Sequence, residues 1–188
     1  MRRMRYIIPA LAAGVLGGLF GLAHAQFRST PPDFVAHLSG GEENPPAATT
    51  ASGFAQFRLI NRGETLFYRI VVHNIHNVVA AHLHMAPRGM NGPVVAFLLT
   101  PQAPGGGPVD GTLAEGEIEF DDLVGPLEGQ SFSVLIEAMR TSGIYVNVHT
   151  NDGVDPPNTG SGDFPNGEIR GQVRRARDHS PQRIEPDE

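Results

Sequence analysis

The chain has 188 residues, a formal net charge of −6 and no cysteine, and all 14 of its basic residues are arginine. Without thiols, disulfides and thiolate-bound zinc or iron–sulfur centres are excluded, so any transition metal must be held by imidazole and carboxylate groups. An acidic, lysine-free surface argues against nucleic acid and anionic membranes as partners.

Arg2, Arg3 and Arg5 precede an apolar run from Tyr6 to Leu22, and Ala23-His24-Ala25 is a small-x-small site. This pattern predicts a signal peptide over residues 1–25, cleaved before Gln26, and a periplasmic or secreted protein with no stable membrane anchor afterwards. Gly14, Gly17, Gly18 and Gly21 shorten the run and weaken its reading as a membrane span. Residues 26–173 are then of ordinary size for one domain.

In that region 23 glycines and 16 prolines in the whole chain punctuate short alternating runs, which predicts an antiparallel all-β sandwich with one short helix. Phe34 to Leu38 reads as a strand, followed by a turn-rich loop in which Pro45 and Pro46 resist pairing. Gly53 to Ile60 and Thr65 to His73 read as a hairpin, with Ala55, Phe57 and Leu59 facing Leu66, Tyr68, Ile70 and Val72 inside. A strand carrying His82 and His84 comes next, then a loop from Pro87 to Pro93. Val94 to Leu99 is nearly all apolar, the pattern of a strand covered on both sides.

After a loop from Thr100 to Pro108, a strand runs from Asp110 to about Phe120. Ser131 can cap a helix in which Phe132, Leu135, Ile136 and Met139 fall at i, i+3, i+4 and i+7, with Gly143 just past its end. A strand with His149 follows, then a polar loop from Asn151 to Asn166 and a last strand. The composition of residues 174–188 is charged and proline-punctuated, which predicts a disordered tail.

Three of these stretches, residues 80–89, 143–150 and 164–173, put polar side chains on a shared face. Alternation places His82 and His84 opposite Ala81 and Leu83, and Tyr145, Asn147 and His149 opposite Val146 and Val148. Glu168, Arg170 and Gln172 lie opposite Ile169 and Val173. If the apolar sides share one core, the solvent side collects three imidazoles, an amide, a carboxylate and a guanidinium. His82, His84 and His149 are the candidate ligands of a copper or zinc ion, expected within roughly 4–5 Å of one another. Arg170, Asn147 and Glu168 are the candidates for steadying those ligands or binding an anion. Ordinary imidazoles protonate near pH 6.5, so binding is expected to weaken below about pH 6.

The remaining chemistry-bearing residues read as structural. His73 and His76 belong to a strand end and turn, His37 has no partner in sequence, and Met85 and Met90 fill a loop. Glu42-Glu43 and Asp121-Asp122 read as solvated charge. Asp152, Asp155 and Asp163 do not have calcium-loop spacing, and neither a Gly-x-Ser-x-Gly motif nor a phosphate loop is present.

The segments GGEENPPAATTASGFA, LFYRIVVHNI, AAHLHMAPRGMNGPVV, GIYVNVHT and PNGEIRGQV, in this order from Phe34 to Val173, resemble the chordin-type CHRD domain. The resemblance implies an immunoglobulin-like β-sandwich in an exported protein. It leaves the partner, an extracytoplasmic protein or a metal ion, unspecified. A more distant similarity is to the copper/zinc superoxide dismutase sandwich, through an HxH strand, a later V-x-H strand and an arginine in a glycine-rich final segment. The dismutase zinc loop and both of its cysteines are missing here. The chain therefore reads as an exported binding module with a histidine-lined patch, with a copper redox enzyme and a structural envelope or matrix interaction domain as alternatives.

Overall fold

The computed structural model describes residues 31–176, so the expected signal peptide and most of the expected tail lie outside the described residues. The strands are β1 (Phe34–Ser39), β2 (Ser52–Ile60), β3 (Thr65–His76), β4 (Val78–Met85), β5 (Val94–Leu99), β6 (Pro108–Ile118), β7 (Ile144–Thr150), β8 (Ile169–Gln172) and β9 (Arg174–Arg175), with one α-helix, α1 (Phe132–Arg140). They form one antiparallel sheet in which eight follow the order β5-β4-β7-β8-β1-β2-β3-β6 and β9 pairs with β1. The β1–β8 junction rests on the single register pair Ser39 and Arg170, which divides the sheet into two halves.

Alternation explains why the halves face each other. Ala55, Phe57, Leu66, Tyr68, Ile70 and Val72 from the β2–β3 hairpin are buried against Ala81, Leu83, Val146, Val148 and Ile169 in one core. The larger of these side chains, such as Phe57, Leu66, Ile70 and Leu83, each contribute about 1.5–3 kcal/mol when fully buried. β5 and β6, at opposite ends of the strand order, come into contact, and the Tyr68 hydroxyl donates to the Leu98 carbonyl at 2.8 Å. The sheet thus curls into a nearly closed, barrel-like sandwich, all-β with one short helix.

Local chemistry sets the departures from the expected boundaries. β3 runs past His73 to His76 because a register shift between Val72 and Ile75, with Asn74 at φ 54°, lets the strand rejoin β6. In α1 the expected apolar stripe is buried, but the Ser131 hydroxyl pairs with the Ser133 hydroxyl at 2.8 Å instead of capping the backbone. Ser142 takes the left-handed position at the helix end, and Gly143 donates to Ala138 at 2.7 Å.

Two expectations need correction. β5 is not covered on both sides, because it has a paired neighbour on one edge only, and Val94, Phe97 and Leu99 remain partly exposed. The segment read as a disordered tail begins with β9, whose Arg174 and Arg175 pair with Val35 and Phe34. β8 meets β1 only at Ser39, which leaves that edge of Phe34 and Val35 open, and backbone groups can fill it while the arginine side chains stay exposed.

Candidate metal centre

β4, β7 and β8 are adjacent and in register, so the polar positions form rows across them. His82 stands opposite Asn147, which stands opposite Arg170; His84 stands opposite Tyr145, which stands opposite Gln172; His149 lies one step away, opposite Ala80. One ligand atom from each of His82, His84 and His149 lies within 4.8 Å of the others. His82 Nδ1 is 3.1 Å from His149 Nε2. Two nitrogens bound tetrahedrally at roughly 2.0–2.1 Å stand about 3.3 Å apart, so this pair already has near-ligating separation.

The backbone fixes the tautomers. His84 Nδ1–H donates to the Gly92 carbonyl at 2.9 Å, and His149 Nδ1–H donates to the Pro165 carbonyl at 3.0 Å, which leaves both Nε2 atoms as lone pairs. His82 Nδ1 must then be the donor to His149 Nε2, while His84 Nε2 is buried and has no hydrogen-bond partner. An Nδ1–H held by a backbone carbonyl is the usual orienting contact of a metal-binding histidine. Gly92 is required for it: a Cβ there would lie 2.0 Å from the Met85 carbonyl oxygen.

Aromatic contacts set the ring planes. His82 meets Phe97 edge-on with centroids 5.0 Å apart, and His84 stacks on Tyr145 at 4.9 Å and 10°. The Arg170 guanidinium covers Tyr145 at 3.5 Å, coming from the β8 side. Burial holds all three imidazoles neutral. His82 is lowered to about 3 by burial and then by the neighbouring His149 and His84, and His149 to about 4 by burial, with the Pro165 contact opposing and His84 adding to it. His84 is lowered as well, first by burial.

The face expected to be open to solvent is largely covered, with His84 buried and His82 and His149 half-buried, which corrects the sequence expectation. Arg170 is 1% exposed, Asn147 4% and His84 8%. The loop after β4 folds over the sheet because the Arg170 donors need acceptors, and they find the Met90 carbonyl at 2.7 Å and Asn91 Oδ1 at 3.0 Å. That loop is laced to the one after β1: Asn91 donates to the Asn44 carbonyl at 2.7 Å, Asn44 to the Gly89 carbonyl at 2.9 Å, and Arg88 pairs with Glu42.

Glu168 is set apart from the imidazoles. It precedes β8, and its carboxylate accepts from Thr49 and Thr150 hydroxyls at 2.6 Å each, Ser161 at 3.0 Å and the Gly162 N–H at 2.9 Å. Its four donors tie three chain segments together. Since Thr150 Oγ1 also accepts from Phe164 N–H at 2.9 Å, this knot holds the segment whose Pro165 carbonyl orients His149. Glu43, read from sequence as solvated charge, is buried under the loop with Oε1 unpartnered. Burial raises its carboxyl to about 8, against the opposing pull of Arg170. No residue spacing could have revealed this, because Glu43 reaches the site through an irregular loop.

The other candidates stay apart. His37 is exposed and packs on Phe54 at 5.0 Å, and His73 pairs with Asp110 in solvent at 3.1 Å. The Met90 side chain is exposed, Met85 packs against the core, and Asp163 is held by Thr159 at 2.9 Å.

Comparison with curated proteins and with solved structures returns no significant match. A family model described as the CHRD domain matches residues 34–155, more than half of the chain, including all three clustered histidines and Glu43 but not β8. The chain belongs to the CHRD-domain family.

Proposed function

We propose that this CHRD domain is an exported binding module whose ligand is a transition-metal ion, copper or zinc, held by His82, His84 and His149. The observation that carries the reading is the convergence of three neutral imidazoles on two adjacent strands, two of them oriented by backbone carbonyls so that Nε2 carries the lone pair. Imidazole sets of this kind suit both ions, and with no cysteine the chain offers no thiolate to compete. Neutral ligands also favour binding, because no imidazole has to release a proton to solvent; His82 has only to carry its proton on Nε2 for Nδ1 to bind.

Elemental analysis of protein purified from its native exported compartment tests the reading, with one copper or zinc per chain as the expected content. His82→Ala, His84→Ala and His149→Ala should each remove stoichiometric uptake while the far-ultraviolet β signal persists. Wild-type protein that arrives without metal and takes up neither ion in titration would overturn the proposal in favour of a protein-interaction module. The exported placement rests on the leader-like N-terminus, and the mass of the mature chain should correspond to a start at Gln26.

A further inference from the structure

Four buried side-chain atoms without a hydrogen-bond partner belong to the histidine face or to the loop over it: Glu43 Oε1, His84 Nε2, Asn147 Oδ1 and Gln172 Oε1. An orphaned buried polar atom is destabilising, so a group of them around one site points to a missing ligand. Two converge closely. Glu43 Oε1 lies 2.7 Å, and Asn147 Oδ1 2.6 Å, from the point where a side chain at position 167 would begin, with Asn147 Nδ2, which donates to the Asn166 carbonyl, also at 2.6 Å. Gly167, at φ +132°, leaves that point open.

Asn147 Oδ1 is an acceptor, and Glu43 Oε1 is one whenever its carboxyl is ionised, so in that state both lack a donor. Asn147 is the cross-strand partner of His82 and the same-face residue before His149 on β7. Pro165, whose carbonyl orients His149, is two residues from Gly167. Arg170, opposite Asn147, acts electrostatically on both Glu43 and His84. The acceptor pair therefore borders the imidazole cluster on the side covered by the loop after β1.

We infer that Glu43 and Asn147 are the hydrogen-bond acceptors for a metal-bound water, so that the centre is of the open kind with three protein ligands and one exchangeable position. This rests on the metal reading above. Three imidazoles leave a fourth tetrahedral position, and open metal sites fill it with water. Such a water is a two-proton donor, the group that a carboxyl oxygen and an amide oxygen, both unpaired, would bind. A bound cation would favour the ionised form of that buried carboxyl, which would then be placed to take a proton from the water.

Wild type, Glu43→Met and Asn147→Leu should be compared by zinc titration and, after copper(II) loading, by electron–nuclear double resonance in H₂O and D₂O. Wild type should show exchangeable protons coupled to copper. Both variants should keep one metal per chain with roughly 10–100-fold weaker affinity, the range for losing an outer contact of a metal ligand, and with altered proton couplings. Metal-free Glu43→Met should be at least as resistant to urea as wild type, since Glu43 Oε1 has no partner to lose. Metal binding with no exchangeable protons, or unchanged affinity and couplings in both variants, overturns the inference and leaves the metal reading standing. A marked loss of metal-free stability in Glu43→Met makes Glu43 a structural residue and also overturns it. Failure of wild type to bind either metal removes both.

Discussion

Lowering the pH from 7 to 5 separates a buried histidine centre from an exposed one. An imidazole with the ordinary pKa near 6.5 is about 76% neutral at pH 7 and about 3% at pH 5, so two of them together would weaken a metal site roughly 600-fold. His82 and His149, lowered to about 3 and about 4 by burial and by neighbouring imidazoles, stay about 99% and 91% neutral at pH 5. The expected weakening from these two is then less than about 1.2-fold. This replaces the loss below about pH 6 that free imidazoles suggest. The assay is zinc titration against a competing chelator at both pH values, corrected for protonation of the chelator. A 100-fold loss would show that the imidazoles titrate as solvated groups and would refute the covered site.

The metal-free protein should be most stable near pH 6.5. As pH falls from 6.5 toward 4.5, the unfolded chain takes up protons on His82 and His149 that the folded chain largely keeps off, and His84 is shifted in the same direction, so stability drops. As pH rises from 4.5 to about 8, the folded chain retains a proton on Glu43 that the unfolded chain has lost, so stability drops in that direction. His82 and His149 already outweigh Glu43 below pH 6.5, and Glu43 acts alone of these groups above it; a urea midpoint that is flat from pH 5 to 8 would contradict both. Tyr68→Phe leaves the Leu98 carbonyl without its 2.8 Å donor inside the core, and should lower unfolding stability by about 1–3 kcal/mol with unchanged metal affinity. A loss below about 0.5 kcal/mol, well under that range, would mean that β3 and β5 are not joined across the core.

Alternation with a period of two is a local property, and it was enough to place most strands, to assign Ala55, Phe57, Leu66, Tyr68, Ile70 and Val72 to the core, and to put His82, His84 and His149 on one side of their strands. The helix stripe of Phe132, Leu135, Ile136 and Met139 was legible for the same reason, because 3.6-residue periodicity is local too. Whether the histidine face meets water was not legible. That depends on irregular, proline- and glycine-rich loops, which carry no period and are positioned by contacts between residues far apart in sequence, such as Arg170 with Met90 and Asn91, and Asn44 with Gly89. The same contacts bury Glu43 and draw Glu168 away from the imidazoles to Thr49, Thr150, Ser161 and Gly162. Composition marked Arg174 and Arg175 as tail, but an open edge on β1 recruits their backbone, since an unpaired row of N–H and C=O groups does not depend on which side chains the pairing residues carry. The sequence by itself determined which residues share a face; the tertiary structure decided that the face is roofed, because desolvation and pairing across the fold depend on where loops land.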